Sequence, residues 1–488
     1  MRQLILFVLL FIALATVQSD LAVAQESTRV SLNPDGGSLT GASGSLESPP
    51  VLDASGSIIA FESVAPAVEG DTNNSSDVFV RIINPGSNEL ISASLQGGPG
   101  NGPSTSPSMT GDGRLIVFQS LASDLVEGDS NNAADIFLRN RESGTTTRLN
   151  QGADGSPANG SSYSAAIDEG GQTVAFCSSA SNLVPEDTNG TSDLFTVKLE
   201  GLLISRHESP AGSSGCARTA LSDDGSAVAV SYTFDTPSAG QVYRHETTGN
   251  EPTLISSAGD GDSGGNGGSG IFGLSANEDG SVIVFDSTAT DLIDDDANES
   301  SDVFLWAADS EGVIRLSEDG EGNEGNSHSG TMGLTISRDG NWVAYSSFAD
   351  NLMPGDGNFA ADIFRLDRAT GALTLVSADL GDRSANGPSY SPDISDDGNS
   401  VVFTSLAANV AIGDRNKNPD VFLRAGTFPE IAGPGDGPQS TPDGPVSEAP
   451  PNDDQAGIPG WATIALIGVG ALIALALGWY LLGRKPAA

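Results

Sequence analysis

Six stretches of the chain place oxygen-bearing side chains at one fixed spacing. The pattern is Asp-x-Asn-x-x-x-Asp, followed by an aliphatic residue and Phe. Position 1 is Asp71, Asp129, Asp187, Asp296, Asp356 or Asp414. Position 3 is Asn73, Asn131, Asn189, Asn298, Asn358 or Asn416, and position 7 is Asp77, Asp135, Asp193, Asp302, Asp362 or Asp420. Oxygen ligands at positions 1, 3 and 7 of a tight loop suit Ca²⁺, with a backbone carbonyl able to add another. Calcium is therefore the one cofactor the sequence proposes. The loops lack the carboxylate at position 5 and the bidentate Glu of an EF-hand. The competing role is structural, with Asp and Asn bonding their own backbone to fix the turn before a strand.

Other chemistry is thinly represented. No appended hydrolase domain reads from the sequence, so a propeller-peptidase arrangement is not expected. The three histidines, His207, His245 and His328, share no motif and read as surface residues. Carboxylate pairs for glycoside hydrolysis remain open, because 64 residues are acidic against 21 basic. Acids repeated in every unit read as structure, however, whereas a catalytic centre is usually asymmetric. The net charge of −43 excludes a general nucleic-acid or anionic-lipid binder, since both need positive charge. Cys177 and Cys216 either form a disulfide, which an oxidising compartment permits, or stay apart as one buried and one exposed thiol.

The acidic stretches need a repeated scaffold to hold them. Their first Asp residues lie 58, 58, 109, 60 and 58 residues apart, so one copy has lost the pattern inside the long gap. A second marker counts seven copies: a Gly that opens a short apolar run, at Gly56, Gly113, Gly171, Gly225, Gly280, Gly340 and Gly398. The Gly225 copy is the one without the acidic stretch, and Tyr243 takes the Phe place there. Period-two alternation of Val, Ile, Phe and Thr predicts strands, and Asp397-Gly398 and its equivalents predict the first hairpin turn. Of the 18 Phe, 11 fall at two recurrent positions, which places them between neighbouring units.

Each unit reads as four strands, so the fold class is all-β: a seven-bladed β-propeller over 25–428. Residues 28–31 resemble a fourth strand without its first three, and the last unit stops after its third strand. The two should pair and close the ring, which removes open sheet edges. Before the propeller, 1–24 reads as a secretory signal peptide ending in Ala22-Val23-Ala24. After it, 429–459 is a Pro/Gly/Asp-rich spacer, 460–483 a single membrane-spanning helix and 484–488 a cytoplasmic tail carrying Arg484 and Lys485.

The repeat NGPSYSPDISDDGNSVVFTSLAANV, with GDRNKNPDVFLRA after it, resembles the WD-like repeats of TolB-type β-propellers, a bacterial exported group. The resemblance covers roughly 27–425. It implies a propeller in the envelope that works by binding other molecules. The chain departs from that family in showing no separate N-terminal α/β domain and in its C-terminal membrane segment. The function expected is a non-catalytic binding scaffold, monomeric, held at a bacterial membrane with the propeller outside. Its partner would be an envelope or extracellular protein or glycan. The alternative is a cell-surface enzyme acting on glycans or peptides.

Overall fold

A computed structural model describes residues 27–426, except 186, 236–239, 250, 260, 262, 311 and 415. The expected signal peptide, spacer, membrane helix and tail lie outside the described residues. Among those described, no helix is long and apolar enough to cross a membrane.

The described chain forms seven antiparallel four-stranded sheets, as the seven glycine markers require. In six of them the strands follow chain order from the inside outward. Blade 1 starts at Val51–Leu52, blade 2 at Ser104–Met109, blade 3 at Ser162–Ile167 and blade 4 at Ser213–Leu221. Blade 5 starts at Ser269–Ala276, blade 6 at Ser329–Ile336 and blade 7 at Ser389–Ile394. Blade 7 takes its fourth strand from the N-terminus, where Thr28 pairs with Leu423 and Arg29 with Phe422. The Val30 amide then donates to the Val421 carbonyl at 2.7 Å. The closure expected from sequence is present.

The hairpin turn between first and second strands needs a left-handed residue. The seven marker glycines supply it, all with φ between 64° and 72°. Both faces of the middle strands are buried, which explains their continuous apolar runs. In Ile58–Ser63, Ile59 and Phe61 pack toward blade 7, whereas Ala60 packs toward blade 2. Seven apolar clusters result, one in each seam between neighbouring blades. The two recurrent aromatics of a blade sit opposite each other, as with Phe118 and Phe137, whose ring centroids are 5.8 Å apart.

Blade 4 departs from this plan. Val230 faces Tyr243 there, and Tyr232 fills the seam toward blade 3. Cys177 of blade 3 and Cys216 of blade 4 are joined as a disulfide across that seam, with Cα atoms 5.7 Å apart. His207 and His245 are buried beside it, not at the surface as the sequence reading had them. The reason is that each ring meets a hydroxyl there. The Thr196 hydroxyl shares a hydrogen bond with His207 Nε2 at 2.8 Å, and the Tyr232 hydroxyl one with His245 Nε2 at 2.9 Å. Burial lowers the pKa of both imidazoles, that of His245 to about 4, with the His207 charge adding to the effect.

Candidate functional site

The six acidic loops connect second to third strands and share one face of the propeller with the connections between blades. Position 7 is fully buried in all six loops. The Asn at position 3 presents its amide nitrogen to that carboxylate, at distances such as 2.8 Å for Asn73 to Asp77 and 2.6 Å for Asn358 to Asp362. In five loops the same nitrogen also donates to a carbonyl of the connection to the next blade, as Asn73 does to Gly100 at 2.8 Å. The Asn Oδ1 accepts from the backbone amide two residues on, for example that of Ser75 at 2.9 Å. One lone pair of the oxygen a calcium ion would need at position 3 is thus used by the turn.

A residue just after the fourth strand completes the latch. Ser92, Ser317, Ser377 and Ser31 donate to the position-7 carboxylate at 2.5 to 2.7 Å, and Asn150 does so at 2.6 Å. Each also accepts a hydrogen bond from the amide that follows the carboxylate, as Ser92 does from Val78. Burial pushes Asp77, Asp135 and Asp302 up to about 6 and Asp362 to about 7. These hydrogen bonds act against that shift without cancelling it.

One determinant escaped the sequence reading: the fourth-strand residue opposite the second aromatic. It is Arg148 in blade 2, Arg206 in blade 3, Arg315 in blade 5 and Arg29 in blade 7. In blades 1 and 6 it is Leu90 and Leu375. Arg148 lies 3.3 Å from Asp129 and 3.8 Å from Asp135, and Arg29 lies 3.2 Å from Asp414 and 3.7 Å from Asp420. Arg206 reaches Asp193 at 2.8 Å and Asp187 at 3.9 Å. In these three loops a guanidinium stands where the acids converge.

Blade 5 differs, because Arg315 bonds Glu324 at 2.7 Å and Glu318 at 3.2 Å. Asp296, Asp302 and Glu324 there offer oxygens within 4.8 Å of one another, an acidic group that could hold a metal ion. Both carboxylate oxygens of Asp296 are buried without a hydrogen-bond partner.

Blade 4 shows what the latch is for. Gln241 occupies the position-7 place, paired with Tyr232 as Asp77 is with Ser63. Its carbonyl oxygen accepts from Ser256 at 2.6 Å, and its nitrogen donates to the Gly265 carbonyl at 2.9 Å. One amide does the work that Asp and Asn share elsewhere, and no acid is needed.

The first strands surround a central channel with a cavity volume of about 770 Å³. At the hairpin-turn end, backbone hydrogen bonds run from blade to blade through Ala54, Gly111, Glu169, the Asp223-Asp224 pair and Glu278. Arg338 of blade 6 crosses this neck. It pairs with Glu169 of blade 3, with Glu278 of blade 5 at 2.7 Å and with Asp396 of blade 7 at 3.9 Å. Burial, with Asp396 and Glu169 adding to it, pushes Asp223 up to about 7.

No family model matches the chain, and no curated protein matches it in sequence. Among solved structures it is similar to an oligogalacturonate lyase from Vibrio parahaemolyticus, at 13% identity and a TM-score of 0.50. That similarity covers 83% of this chain and 94% of the other. It is also similar to the β-propeller domain of the Trilobed protease from Pyrococcus furiosus, at 12% identity and a TM-score of 0.49, over 80% and 98%. A TolB from Agrobacterium tumefaciens is similar at 16% identity and a TM-score of 0.36, over 55% and 79%. TolB proteins are thus among the structures that resemble the chain, and the content shared at these identities is the propeller fold.

Proposed function

We propose that the chain is an exported, membrane-tethered β-propeller that binds a protein or glycan of the bacterial envelope or cell surface and catalyses no reaction. The observation that supports this is the use of the repeated acids. In blades 2, 3 and 7 both carboxylates face an Arg, and in all six loops position 7 is consumed by the Asn and its other latch partners. Buried, hydrogen-bonded carboxylates cannot reach a glycosidic or peptide bond. The disulfide suits an oxidising, extracytoplasmic compartment. A pull-down from envelope extract with the immobilised full chain tests the reading. Saturable retention of a defined partner supports it; turnover of a glycan or peptide panel by the protein replaces it with the enzyme alternative.

Calcium, expected for six loops, is carried forward as a proposal with its strongest case in blade 5. There the two partnerless oxygens of Asp296 lie beside Asp302 and Glu324. Binding of Ca²⁺ should raise thermal stability by mass action. Asp296→Asn should abolish that gain, and a melting temperature indifferent to Ca²⁺ and to chelator would remove the metal.

A further inference from the structure

We propose that the central channel binds a ligand through a carboxylate and that Arg218 receives it. This deepens the scaffold reading and rests on it. Arg218 belongs to the first strand of blade 4 and lines the cavity. Among the described residues its guanidinium makes no hydrogen bond and no ion pair. Burial lowers its pKa, with only Asp286 and Glu47 opposing the shift through their charge.

Asp286 acts on it through its charge without bonding it. That carboxylate is itself buried and commits Oδ1 to the amides of Phe272 at 2.9 Å and Gly273 at 2.8 Å, while Oδ2 has no hydrogen-bond partner. A half-buried guanidinium at the cavity wall without a partner is open to an anion that hydrogen-bonds it. Its planar fork matches a carboxylate with two parallel hydrogen bonds. The other guanidinium lining the cavity makes the contrast: Arg338 is held by three acids at the neck.

The rest of the cavity narrows the ligand class. Its volume of about 770 Å³ falls in the range of small-ligand sites, roughly 300–1,000 Å³. Phe272 and Leu46 border it and are 39% and 45% exposed, which offers apolar contact. Seven carboxylates line it against two guanidiniums, so a multiply charged anion is disfavoured. The fitting chemistry is one carboxylate on an uncharged, partly apolar body. A small aromatic acid and the C-terminus of an extended peptide both have it.

Isothermal titration of the full chain in detergent, with two matched pairs of probes, tests this. One pair is benzoate and benzamide; the other is acetyl-tetraalanine as free acid and as amide. At least one acid should bind tenfold or more tighter than its amide, and the pair that does so identifies the source. Arg218→Gln should erase the preference, and Arg218→Lys should keep part of it. Equal binding of acid and amide in both pairs by the unmodified protein, or no binding of any probe, overturns the proposal without recourse to a variant. A retained envelope partner with no acid preference would leave the scaffold reading standing alone. Cleavage of the peptide would remove the scaffold reading while the acid preference stood.

Discussion

Arg148→Leu gives blade 2 the residue that blades 1 and 6 already carry at this ladder position. The guanidinium it removes lies 3.3 Å from Asp129 and 3.8 Å from Asp135, with all three side chains at most 5% exposed. Removing one partner from a buried charge cluster costs about 3–5 kcal/mol, because the remaining charges are left uncompensated. The variant should lose that much at pH 8. Asp135 already sits at about 6 with Arg148 present, and it should rise further without it. A carboxyl whose folded pKa is raised contributes stability below its unfolded value and loses it as pH rises through the folded value. The deficit should therefore shrink to roughly 1–2 kcal/mol at pH 5.5, the residue of lost packing and remaining charge pairing. Urea unfolding of the full chain at both pH values, followed by tryptophan fluorescence, measures the difference. A deficit below about 1 kcal/mol that is equal at the two pH values would refute the claim that Arg148 offsets buried charge. The reciprocal change, Leu375→Arg in blade 6, should stabilise the fold more at pH 8 than at pH 5.5, since Asp362 stands at about 7 there.

Gln241→Leu removes the blade-4 latch and leaves the Gly265 carbonyl and the Ser256 hydroxyl without it, at a cost of about 2–3 kcal/mol in the same urea assay. Losing the Cys177–Cys216 bridge, which spans 39 residues, should cost roughly 3–4 kcal/mol, read by comparing Cys177→Ala with the oxidised protein. His245 has its pKa lowered to about 4, so folding must keep it neutral and its contribution is lost as pH falls from about 6.5 toward 4. His245→Gln should accordingly flatten the loss of stability between pH 6.5 and 4.5, and an unchanged slope would contradict the burial argument.

The ring was legible because its signals are local and repeated. A Gly that tolerates a left-handed turn and an aromatic at a fixed distance from it fixed the seven blades. The orphan strand at 28–31 fixed the closure. The loop chemistry was half legible. The oxygen spacing shows in sequence, but which way the Asn amide points is decided by a carbonyl some 27 residues later, as with Asn73 and Gly100. The Arg or Leu opposite the second aromatic was visible as a residue but carried no meaning until the register placed it over the acids. His207 and His245 misled for the same reason. Each is polar in isolation, and they are buried because the two blades bring their rings together and supply each with a hydroxyl. Arg218 likewise carried no signal, since its isolation depends on what the channel leaves unbonded around it.

The central claim is that the repeated acids hold the propeller together and catalyse nothing. The most direct measurement is mass spectrometry of a glycan and peptide panel incubated with the full chain and, in parallel, with Asp77→Asn and Asp362→Asn. The account predicts an intact panel in every case, alongside a retained envelope partner. Product formation by the unmodified protein that either substitution abolishes would contradict it.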